Sequence, residues 1–200
     1  MPGLLAGCSG LRPGEAAVVG EETISTDEFN DVTDDVCTFL SALQISNGLD
    51  PAIPARAAAL TAMNFLLMGT GAEQLAADEG VEVTGQEIND WIADFPVLTD
   101  AVPPDQRGAV EDVKQIIARN QLLFAKLGEA EGGNLTEAGQ QRVLDYLDEV
   151  GYEAMPRYGQ ALDAQAKPGT GSLSVAVSDE GVRGLALPQG GQPTEAELCS

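Results

Sequence analysis

Apolar residues change their spacing several times along this chain, and each change marks an element. Ala16-Ala17-Val18-Val19 is a continuous apolar run closed by Gly20, the pattern of a short buried strand. From Ile24 the period lengthens. Phe29, Val32, Val36, Phe39 or Leu40, and Leu43 share one helical face, and Ser46-Asn47-Gly48 ends it. Side chains also mark where that helix begins. Ser25 caps it, Glu28 completes a capping box, and Ile24 and Phe29 stand at the positions of a hydrophobic staple. An alanine-rich helix is predicted over about 54–78, with Leu60, Met63, Leu66, Leu67 and Leu75 available for burial. Gly69 and Gly71 in its middle predict a kink or break.

The first start signal returns at Val83-Thr84-Gly85-Gln86-Glu87-Ile88, with Thr84 as cap, Glu87 as box partner, and Val83 and Ile88 as staple. The short helix it opens carries Ile88, Trp91, Ile92 and Phe95 and stops at Pro96. A proline-rich connection over 96–104 leads to a long amphipathic helix over about 105–128. Val110, Val113, Ile117, Asn120, Leu123, Phe124 and Leu127 lie near one of its faces. A glycine- and acid-rich turn over 129–134 precedes a helix over 136–150, with Val143, Leu144, Leu147 and Val150 inward. Tyr152-Glu153-Ala154-Met155 alternates like a strand, and Pro156-Arg157-Tyr158-Gly159 breaks it. Residues 160–200 mix Gly/Pro clusters with Ser172-Leu173-Ser174-Val175-Ala176-Val177, an irregular tail with a short strand or hairpin.

The predicted fold is therefore mainly α, with four to five helices around one core and short strands near 16–19 and 152–155. A tether occupies 1–15, the helical domain 16–159 and the tail 160–200. The two start signals are six-residue echoes, too brief for a repeat protein.

Charge narrows the function classes. The 200 residues include 32 acidic and 10 basic ones, a net charge of −22, with no basic residue between Arg12 and Arg56. Nucleic-acid binding is excluded, because a basic face must displace counterions there. Charge-driven docking on anionic lipid is disfavoured for the same reason. No histidine is present, which removes Ser-His-Asp and Cys-His catalysis and histidine metal sites. Adjacent carboxylates such as Asp34 and Asp35, or Asp78 and Glu79, do not share a helix face and make poor acid–base pairs. The EF-hand spacing is missing, and no metal or cofactor is expected. Gly69-Thr70-Gly71 and Gly169-Thr170-Gly171 lack the strand and lysine of a phosphate cradle and read as flexible hinges.

The three cysteines, Cys8, Cys37 and Cys199, are far apart and form no CxxC pair. No run reaches the ~18 apolar residues that span a bilayer. Leu5-Ala6-Gly7-Cys8 resembles a bacterial lipobox, in which small residues admit a peptidase and the thiol receives a diacylglyceryl group. Lipidation at Cys8 is the expectation, against an ordinary surface or core thiol. The seven preceding residues lack a basic n-region, so a start upstream of Met1 or a shortened chain is expected. Export would permit a Cys37–Cys199 bridge; the alternative is one buried and one exposed thiol, and the sequence leaves both open. Met63, Met68, Trp91 and Phe95 are either core or, where exposed, a patch for flexible chains.

Three segments carry a family resemblance. "AAVVGEETISTDEF" resembles the opening of the SurA N-terminal chaperone domain, "DEGVEVTGQEINDWI" a later segment of it, and "AMPRYG" a strand ending in related exported lipoproteins. Their order agrees from about Ala16 to Gly159. The resemblance implies a periplasmic or cell-surface protein that holds unfolded or partly folded exported chains. Many family members insert a parvulin-type prolyl isomerase before the last helix. Here the corresponding link over 128–135 is too short for a domain, so no isomerase residue carries over. Sparse lysine with abundant alanine and glycine resembles actinobacterial lipoproteins. The expected function is a non-enzymatic, lipid-anchored, extracytoplasmic chaperone-like protein whose partners are exported polypeptides. The alternative is a lipoprotein dedicated to one envelope protein. No motif supplies a nucleophile with a base, so an enzyme is disfavoured.

Overall fold

The computed structural model describes residues 11–95, 98–129, 133–155 and 198–199. The lipobox at Cys8, the second glycine pair at Gly169 and Gly171, and the strand signal at 172–177 lie outside them.

The first apolar run forms β1 (Glu15–Val19), which turns through Gly20 and Glu21 into β2 (Glu22–Ser25). Val19 stands opposite Glu22, and Gly20 takes φ 59°, the left-handed value a two-residue hairpin turn requires. β2 was not legible as a strand, because its residues also carry the start signal of the next helix. β3 (Tyr152–Ala154) pairs antiparallel with the other edge of β1, giving the sheet order β2-β1-β3. The register shifts between Glu15 and Ala17, and both Ala16 and Ala17 are buried.

Five helices pack on one another, α1 and α2 also on this sheet: α1 (Thr26–Ser46), α2 (Ala55–Glu79), α3 (Gly85–Ala93), α4 (Arg107–Leu127) and α5 (Leu135–Val150). The chain is thus mainly helical with a small antiparallel sheet, as its periodicity predicts. Ser25 Oγ accepts the Glu28 N–H at 3.1 Å, and the staple residues Ile24 and Phe29 are both buried. α2 and α4 form the centre. α1 packs against both, α5 also packs against both, and α3 lies on α4. Phe39, Met63, Met68, Phe124, Leu127 and Leu147 fill the core between them. Each such side chain contributes roughly 1.5–3 kcal/mol by leaving water.

The predicted break at Gly69 and Gly71 does not occur: α2 runs through both. A Cβ at Gly71 would stand 2.8 Å from Leu147 Cδ2 and 3.3 Å from Val143 Cγ1, and one at Gly69 would stand 3.0 Å from Asn120 Oδ1. These glycines are neither hinges nor phosphate loops. They let α5 and α4 approach the α2 backbone, and the packing gained offsets the ~1 kcal/mol that a helical glycine costs. The same device joins α4 to α5. A Cβ on Gly128 would collide with the Leu135 carbonyl, and one on Gly139 with the Phe124 carbonyl. Arg142 in the middle of α5 bonds the Leu127 carbonyl at the end of α4 and pairs with Glu79 at the end of α2, so one guanidinium ties two helix ends to α5.

The C-terminus returns to this body. Leu198 bridges antiparallel to Pro54, and the Cys199 N–H donates to the Ile53 carbonyl at 2.8 Å. Cys199 is disulfide-bonded to Cys37 on α1, with Cα atoms 5.7 Å apart. Of the two arrangements the sequence leaves open, the structure has the bridge.

Candidate functional site: an aromatic cluster beside an acidic face

The residues predicted to meet flexible chains divide into two pairs. Met63 and Met68 on α2 are 0% exposed. They are core and offer nothing to a partner, because the alanine-rich face of α2 lies against α1 and α4 on the inside of the molecule. Trp91 and Phe95 are only half-buried, and they stand together. Their ring centres are 5.3 Å apart, and Phe95 is 6.2 Å from Phe39 of α1, distances of tilted aromatic pairs.

α3 positions this cluster, and its attachment is unlike that of the other helices. α2 ends at Gly80 with φ 68°, where the Val81 N–H closes back on the Ala76 carbonyl at 2.8 Å. The chain turns there and restarts at Thr84, whose capping box is complete. Glu87 N–H donates to Thr84 Oγ1 at 3.3 Å, and Thr84 N–H donates to Glu87 Oε2 at 2.8 Å. Lys126 of α4 then clamps the start of α3. Its Nζ is 2.7 Å from Glu87 Oε1 and donates to the Glu82 carbonyl at 2.6 Å. These bonds, the Lys126 contact first, hold the Glu87 carboxyl down to about 2. Yet none of the nine residues of α3 is fully buried. Ile88, Trp91 and Ile92 keep part of their apolar surface in water.

Beneath the rings lies a charge that sequence reasoning missed. Lys114 of α4 is 5% exposed, its Nζ 5.9 Å from the Phe95 ring centre and 3.0 Å from Glu111 Oε1. An ammonium taken from water needs such a partner, and the ring face adds a cation–π contact. The signal was present: Lys114 stands four residues after Val110 and three before Ile117, within the apolar stripe of α4.

On α1, next to Phe39, the surface is acidic. Asp35 lies on α1 one turn before Phe39. Burial, followed by the charges of Asp112 on α4 and of Asp31 and Asp34, pushes its carboxyl above the ordinary range. Asp31, Asp34 and Asp112 are exposed. Among the described residues no group of three or more acidic, cysteine or histidine side chains is placed to hold a metal ion. Likewise, no described helix is long and apolar enough to cross a membrane.

A second, open depression lies where the β1–β2 turn meets α2 and α5. Gln74 Nε2 donates there to the Val19 carbonyl and to Glu22 Oε2, each at 3.1 Å, and the Tyr146 hydroxyl is 3.5 Å from Asp78 Oδ2. Burial, with Asp78 next, pushes the Tyr146 hydroxyl upward. That is the opposite of what a tyrosinate base or nucleophile needs, and the network serves to fasten the hairpin. No protein-family model, curated protein or solved structure matches this chain.

Proposed function

We propose that this chain is a non-enzymatic, chaperone-like protein of the bacterial cell envelope that holds unfolded or flexible exported polypeptides on the α3 aromatic face. The observation that carries this reading is the half-buried Trp91–Phe95 pair, with Trp91 on a helix none of whose residues is fully buried and Phe95 two residues past its end. Apolar surface left in water is surface a partner can cover, at roughly 25 cal/mol per Å². The ring faces cover apolar side chains of many shapes, so binding at the rings is broad and weak, after the cost of ordering the bound segment.

Export is supported by the Cys37–Cys199 bridge, because disulfides persist in oxidising compartments. The lipobox-like segment ending at Cys8 supports a lipid anchor, and the succession of SurA-like segments supports a holding function. Two or more acyl chains would anchor the protein stably.

The test is aggregation of a chemically unfolded protein in the presence of the full chain. Several-fold excess should suppress light scattering, and Trp91→Ser should remove most of the suppression. Unchanged scattering at that excess contradicts the proposal. A pull-down that returns one stoichiometric envelope protein, with no suppression, would instead favour a dedicated partner.

A further inference from the structure

Resting on that reading, we propose that the site selects apolar segments that carry a lysine or arginine. The carboxylates of Asp31, Asp34, Asp35 and Asp112 hold the basic side chain while Trp91 and Phe95 cover its apolar neighbour. The juxtaposition is fixed by the fold. Asp35 and Phe39 are four residues apart on α1, hence neighbours on one helical face, and Phe39 stacks near Phe95, which stacks near Trp91.

Charge complementarity decides the occupant. The charges that act on Asp35 are those of other carboxylates. α1 carries no basic residue, and the sequence has none between Arg12 and Arg56. The nearest cation along α4 from Asp112 is Lys114, which is buried beneath Phe95 and paired with Glu111. Four carboxylates that repel one another are relieved by an incoming ammonium or guanidinium, while their border rejects anionic lipid and acidic chains. A second copy of the chain is a poor occupant, because it brings the same acidic face and a net charge of −22.

Trp91 is the chain's single tryptophan and reports occupancy directly. The full chain is titrated with twelve-residue, tryptophan-free peptides of identical apolar content that carry three lysines, three glutamines or three glutamates. The lysine peptide should shift Trp91 emission with an affinity roughly tenfold above that of the glutamine peptide, and the glutamate peptide should be weakest. Raising salt from 50 to 500 mM should erase most of the difference. Asp35→Asn with Asp112→Asn should lower the lysine-peptide affinity toward that of the glutamine peptide. Asp148→Asn with Glu149→Gln, an equal charge loss on α5, should leave the preference intact. Equal binding of lysine and glutamine peptides by the unaltered chain overturns the inference while the apolar reading stands. Equal loss of preference in both double variants also overturns it, since net charge alone would then explain the selection. No Trp91 response to any peptide overturns the inference and the proposed function together.

Discussion

At Gly139 a single hydrogen atom sets how closely α4 and α5 meet. The Phe124 carbonyl fills the space a Cβ would need, and that neighbour is backbone, which cannot swing aside. Gly139→Ala should therefore cost about 3 kcal/mol or more in urea unfolding. Gly108→Ala, in the first turn of α4 with nothing within 4 Å, should change stability by about 0.5 kcal/mol at most, in the stabilising direction. Similar costs for the two would contradict the close approach. Residue-scale placement also separates Met63 and Met68 from Trp91 and Phe95. All four are apolar residues at helical spacing, and what differs is how much of each helix the neighbours cover. Sequence alone does not contain that quantity.

Elements were legible where the local code was complete. The Ser25 cap, which accepts the Glu28 N–H, and the full Thr84–Glu87 box marked two helix starts, and the long apolar stripes marked α1, α4 and α5. Reading failed where one feature has two physical meanings. Glycines at 69 and 71 signal a break locally but serve close packing in the fold, and β2 was hidden beneath a helix cap. The aromatic half of the candidate site was legible in the segment from Ile88 to Phe95. Its supports, Phe39, Lys114 and the Asp35–Asp112 approach, arise only when α1 and α4 meet. α3 also has a pH response of its own. The Glu87 carboxyl is held at about 2, below its ordinary 4.5, by Lys126 and by the Thr84 N–H and hydroxyl. A depressed carboxylate contributes stability that is complete above about pH 4.5 and is lost as pH falls toward 2. Trp91 emission should thus change between those values. Glu87→Gln should show the low-pH emission already at neutral pH and flatten the transition. An unaltered acid transition in that variant would show that the Lys126 clamp does not hold α3.

For the whole molecule, the Cys37–Cys199 bridge closes a loop of 162 residues and fixes the C-terminus beside Ile53 and Pro54. A link of that span removes much of the freedom of the unfolded chain, so reduction or Cys199→Ser should lower stability by about 2–5 kcal/mol. An equal denaturation midpoint with and without reductant would contradict it. Around this braced body the charge of −22 opposes the approach of a second copy. The proposed function requires the α3 face to capture non-native polypeptide. A photo-crosslinking residue placed at Ile92, beside the rings, tests it most directly, with Asp148 on α5 as reference. Adducts are expected from position 92 with an unfolded client, few with the same client folded, and few from position 148. Equal yields from the two positions, or equal yields with folded and unfolded client, would contradict it.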